Sequence, residues 1–136
     1  MKLFDTSARK KREFTPLHKG EVGIYTCGPS VYAYSHIGNF RTYIFEDILV
    51  RYLIYKGYKV KRIINITDVE DKAIEQAKRE GKTVKTVQKE KIKAFLSDFD
   101  ELEMLRPTVI AKASEHIRQM TKLIGKICKG GYCRYQ

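Results

Sequence analysis

Apolar positions fall into blocks whose spacing changes along the chain, and each change predicts an element. VGIYTC, residues 22–27, is a short β-prone run behind the Lys19–Gly20 turn signal and reads as a buried strand. Polar and Gly-Pro residues fill 28–38. From Asn39, NFRTYIFEDILVRYLIYKG carries apolar residues around most of a helical circumference. It closes at Gly57 with Lys56 in the last turn, which predicts a helix of about five turns buried between layers. YKVKRIINIT, residues 58–67, combines β-branched residues with partial alternation and predicts a second strand.

Strand, helix, strand implies a right-handed unit with parallel strands, whose ligands sit beyond the carboxyl ends of the strands. Loops 28–38 and 67–72 then share one edge. Downstream, DKAIEQAKREG closes a helix at Gly81, and Ile92, Phe95, Leu96, Phe99 and Leu102 keep helical spacing up to Arg106-Pro107. Ser114 marks the start of a further helix through Ile117, Met120, Ile124 and Ile127, which ends near Gly130-Gly131. YCRYQ, residues 132–136, reads as strand-like. The expected fold class is α/β, with parallel strands and flanking helices in one unit, since 136 residues suffice for a single core.

Composition narrows the functional classes. Apolar and charged fractions of 43% and 32% are those of a folded globular chain, which excludes a disordered or fibrous protein. No run reaches the roughly 20 apolar residues of a membrane span, and MKLFDTSARKKREF lacks the apolar core of a secretion signal, so the cytoplasm is the expected location. Three cysteines fit free thiols or ligands better than a disulfide framework. A net charge of +11, concentrated in residues 1–20 and 112–136, suits either a polyanion such as nucleic acid or a solvated basic surface.

Candidate chemistry gathers in the first loop. Gly38 and Asn39 at a helix start suit phosphate, because glycine permits close backbone approach and the helix N-terminus offers free N–H groups and partial positive charge. His36 can donate to a phosphate oxygen and Arg41 adds charge one turn on, while Asn39 also reads as an ordinary N-cap. Cys27 is either a small buried hydrophobe at a strand end or one ligand of a metal that needs three or four. No CxxC or HExxH pattern supplies the others, and Cys128 and Cys133, with four residues between them, read as core or surface thiols.

The ordered set LFDT, YTCGPSVY, HIGN, NITDVEDK and RPTVIAKASEHI resembles the N-terminal part of the catalytic domain of cysteinyl-tRNA synthetases, which are class I aminoacyl-tRNA synthetases. The resemblance covers essentially residues 1–136 and implies the first half of a Rossmann-like class I catalytic fold. It also implies ATP-dependent activation of L-cysteine to cysteinyl-adenylate and transfer to tRNA(Cys). On the family pattern Cys27 is a zinc ligand, and His36, Gly38 and Asn39 lie on the triphosphate of ATP, which enters with Mg. Gly28, Thr67 and His116 fall at the amino-acid pocket. His116 can equally be a helix-face histidine, and Asp68 or Asp71 can be a helix cap rather than a partner for the substrate ammonium. Tyr32 and Tyr34 read as loop packing.

Departures from the pattern are Asn39 in place of the second histidine, which can still donate to phosphate, and Ala33 where an acidic residue is common. The second group of zinc ligands, the Lys-Met-Ser-Lys-Ser loop, the second half of the nucleotide fold and the anticodon-binding region do not occur in the sequence. A fragment of a longer synthetase, or a short chain completed by a partner, is therefore expected. Two rivals share the same motifs or charge: a ligase joining cysteine to an amino sugar, and a non-catalytic basic paralogue that binds tRNA or a nucleotide.

Overall fold

The computed structural model describes residues 1–132. Its centre is a three-stranded parallel sheet, in the order β3 (Glu21–Thr26), β4 (Lys59–Ile66), β5 (Val109–Lys112). β3 and β4 pair in the register Val22↔Val60 to Thr26↔Ile64, and the α-helix α1 (Ile37–Tyr55) joins them. This is the strand-helix-strand unit read from the sequence. α2 (Asp71–Glu80) ends at Gly81 in the left-handed conformation (φ 63°), and α3 (Val84–Glu101) starts at Thr83, whose side chain accepts the Thr86 N–H at 3.2 Å.

The core forms where α1 and α3 meet over β4. Phe40, Tyr43, Ile64, Phe95, Phe99 and Met104 are buried together, with Phe40 stacked on Phe95 at 5.9 Å and Tyr43 edge-on to Phe95 at 5.3 Å. One charged cluster crosses it. Arg62, 2% exposed, pairs with Glu46 at 3.0 Å and approaches Asp47 at 3.9 Å. Asp47 in turn holds Arg51 at 2.6 Å and the Leu105 N–H at 2.8 Å. Removing one member of such a group leaves its partner buried and uncompensated.

The structure departs from the sequence expectation in four places. α1 is not buried between layers: Phe40, Tyr43, Asp47, Val50 and Leu53 face inward, while Phe45 and Tyr55 on the other side are 70% and 83% exposed. An all-round apolar pattern does not say which face has a partner. The final helix, α4 (Ile117–Lys129), follows a 3₁₀ turn at Ala113–His116, so Ser114 is not its N-cap. β5, a four-residue strand, and an N-terminal antiparallel hairpin of β1 (Lys2–Asp5) and β2 (Lys10–Glu13) were not anticipated. β2 is exposed throughout and β1 only half-buries Leu3 and Asp5, so KLFD and KKRE carry no apolar–polar alternation to read. Cys128, expected as a free thiol, is disulfide-bonded; it lies just before the chain reverses at Gly131 (φ 79°). The strand-like reading of YCRYQ and the thiol of Cys133 lie outside the described residues.

Candidate nucleotide and amino-acid site

Both motif loops emerge from the carboxyl ends of β3 and β4 and continue side by side. Ser30 and Thr67 form a parallel bridge; the Thr67 N–H donates to Pro29 O at 3.0 Å, and the Val31 N–H donates to Thr67 O at 3.2 Å. Gly28 has no room for a side chain, since a Cβ there would stand 1.7 Å from the backbone oxygen of Asn65. Its N–H donates to Asn65 Oδ1 at 3.0 Å, and the Asn65 amide reaches Thr67 Oγ1 at 3.3 Å. The structure thus brings Cys27, Gly28 and Thr67 to one edge. Cys27 is exposed and free there, which overturns its reading as a buried hydrophobe.

His36 and Asn39 lock the start of α1 reciprocally. The Gly38 N–H donates to His36 Nδ1 at 3.0 Å, and the His36 N–H donates to Asn39 Oδ1 at 3.1 Å. His36, not Asn39, is therefore the N-cap, and Asn39 is the third helical residue. This capping box has a chemical consequence. With Nδ1 accepting, the neutral imidazole carries its proton on Nε2, and with Oδ1 accepting, the Asn39 amide keeps both its N–H donors free. Inward acceptors and outward donors, exposed at a helix N-terminus without acidic residues in its first turn, make a surface for an anion.

Tyr43 belongs to this neighbourhood and was read from the sequence only as part of α1. Burial pushes its phenol up to about 12, helped by the negative charge available to Cys27 and Glu46. Its apolar phase on the helix hid it.

His116 and Asp68 have local work. His116 Nδ1 lies 2.8 Å from Lys112 O, at the N-cap of α4 and exposed to solvent. The buried Asp68 carboxylate accepts from Ser114 N at 2.8 Å and Ser114 Oγ at 2.5 Å, which ties the end of β4 to the 3₁₀ turn after β5. Asp68 is thus a cap for a distant turn, while the N-cap of α2 is Glu70. A large cleft of about 1230 Å³ lies between α2, α3 and that turn and shares only the 68–70 segment with the motif loops.

Among the described residues no group of three or more His, Cys, Asp or Glu side chains is arranged to hold a metal ion. Cys27 offers one soft, accessible ligand, which fits zinc by donor type, but a complete site would need ligands from elsewhere. Among the described residues no helix is long and apolar enough to cross a membrane.

A parallel α/β sheet with a donor-lined helix N-terminus and a free thiol at its carboxyl edge defines a Rossmann-like domain with its ligand edge at the strand ends. Residues 13–136 match the family described as the tRNA synthetases class I (C) catalytic domain, and the chain belongs to that family. It is 44% identical over 142 residues to the cysteine-tRNA ligase of Treponema denticola, an alignment covering 97% of this chain and 29% of that protein. It is 45% identical over 127 residues to the cysteine-tRNA ligase of Koribacter versatilis, covering 93% of this chain and 26% of that protein. The chain therefore spans less than a third of the length of these curated relatives.

Proposed function

We propose that this chain supplies the N-terminal part of the catalytic domain of a cysteine-tRNA ligase, which activates L-cysteine with ATP and transfers it to tRNA(Cys) in cytoplasmic protein biosynthesis. The observation that carries this reading is the capping box of α1 beside an exposed Cys27, at the carboxyl edge of a parallel sheet. ATP, entering with Mg, lies with its phosphates on the Gly38 segment, where His36 Nε2–H and the Asn39 amide donate to phosphate oxygens. As the cysteine carboxylate oxygen forms its bond to the α-phosphorus and the bond to the pyrophosphate oxygen breaks, these fixed donors stabilise the growing negative charge. No donor has to reorient, because the reciprocal hydrogen bonds have already oriented both side chains.

Cys27 would be one zinc ligand, with the others supplied by the remainder of a longer chain or a partner. Bound zinc prefers a soft thiolate to a hydroxyl, which would favour cysteine over serine. Gly28 and Thr67 shape the floor beside it, and His116 reaches the pocket only if its contact with Lys112 O is given up. His36→Ala in the natural full-length protein tests the phosphate role. Cysteine-dependent ATP-pyrophosphate exchange should fall by roughly 10²-fold with zinc content unchanged; an unaltered rate would remove the capping box from the chemistry.

A further inference from the structure

The loop between Cys27 and His36 is held from beneath by cations on α2 and α3. Among the described residues, 32–35 make no side-chain hydrogen bond and, beyond the turn at Val31 and Tyr32, no backbone one, although they carry the chain from the Ser30–Thr67 bridge to the His36 cap. Their tethers are two rings: Lys72 Nζ lies 5.2 Å from the Tyr32 ring centre, and Lys91 Nζ lies 3.7 Å from that of Tyr34.

Lys91 is the unusual member. It occupies the inward stripe of α3 with Val87, Phe95 and Phe99 and is 7% exposed, a place where spacing alone calls for an apolar residue. Its charge is compensated from two sides, by Glu80 Oε1 at 3.5 Å and by the face of Tyr34. Glu80 is fixed in turn by Gln76 at 2.8 Å and Lys82 at 3.3 Å. A well-packed apolar side chain would hold the two helices equally well, since a buried ion pair is poor support for stability. What the cation adds to apolar packing is an electrostatic hold on the face of an aromatic ring two residues before His36.

We infer that Lys91 is a positioning residue: its ammonium, anchored by Glu80, clamps the Tyr34 ring and so fixes the loop that delivers His36. The importance of His36 for phosphate rests on the function proposed above; the clamp does not. Amide hydrogen exchange on the full chain measures it directly. Lys91→Met should speed exchange of the hydrogen-bonded amides that bound the loop, Val31, His36 and Gly38, by roughly five- to thirtyfold while β3 and β4 amides stay unchanged. Tyr34→Leu, at a ring 61% exposed, should do the same, and the double variant should be no faster than either single. Lys91→Arg, which keeps the cation, should restore protection.

In the natural full-length enzyme, Lys91→Met should raise KM for ATP or lower kcat while leaving KM for cysteine as it was. Loop exchange unchanged in both single variants, or β3 and β4 amides accelerated equally, overturns the clamp. If Lys91→Met does not fold, Tyr34→Leu decides alone. A wild-type enzyme without cysteine-dependent exchange defeats the synthetase reading, and amide exchange still decides the clamp.

Discussion

Gly28→Ala is the substitution whose cost follows most directly from geometry. A Cβ at residue 28 would stand 1.7 Å from Asn65 O and 2.9 Å from Asn65 C, both backbone atoms that no rotamer change can move. Reaching even 3.0 Å requires the Gly28 loop and the end of β4 to part by roughly 1.3 Å. That displacement stretches the Gly28 N–H bond to Asn65 Oδ1 and the two backbone bonds linking Pro29 and Val31 to Thr67 beyond hydrogen-bonding range. Overpacking of about 1–3 kcal/mol plus about 1 kcal/mol for each of the three weakened bonds gives roughly 4–6 kcal/mol. At about 3–5 °C per kcal/mol for a domain of this size, Tm should fall by roughly 10 °C or more in far-UV circular dichroism melts. Gly125→Ala is the internal control. It lies inside α4 with nothing within 4 Å of the added methyl, so it should raise Tm slightly. A Gly28→Ala protein melting within about 2 °C of wild type would refute the close approach of the Gly28 loop to the end of β4.

Other consequences are equally specific. Asp47→Ala strips Arg62, Arg51 and the Leu105 N–H of their shared acceptor and should cost roughly 3–5 kcal/mol in urea unfolding, whereas a loss under about 1 kcal/mol would deny the buried network its role. Asp68→Ala should cost roughly 2–3 kcal/mol and speed amide exchange at Ser114 in particular, with Asp68→Asn intermediate. Tyr43 has a folded-state pKa raised from 10.0 to about 12, so its stabilising contribution is complete below pH 10 and is lost as pH rises through about 12. Absorbance titration should show one late tyrosine that disappears in Tyr43→Phe, and a single uniform transition in wild type would contradict its burial.

β3, β4 and α1 were legible because their signals are local: a β-branched run before a Gly-Pro loop, and a long apolar block closed by Gly57. β5 was not, because VIAK gains its identity from pairing Val109–Lys112 with Ile63–Ile66, a partner 46 residues earlier. Among the site residues, His36, Gly38 and Asn39 were legible as a helix start, but their reciprocal caps, which aim the donors outward, depend on side-chain geometry. Ser114 looked like an N-cap and is instead held by Asp68, 46 residues earlier, a contact that sequence spacing cannot reveal. Lys91 was hidden differently. Lysine at an inward helical position reads as noise in the apolar stripe until Tyr34 and Glu80 are seen beside it.

Zinc content and cysteine-dependent ATP-pyrophosphate exchange, measured together on the natural full-length protein and its Cys27→Ser variant, bear most directly on the proposed chemistry. The wild type should hold about one zinc and exchange pyrophosphate with cysteine but not serine, and the variant should lose both properties while keeping its fold, because the replaced side chain is exposed and nearly equal in volume. A Cys27→Ser protein that retains zinc and full cysteine-dependent exchange would contradict the assignment of Cys27.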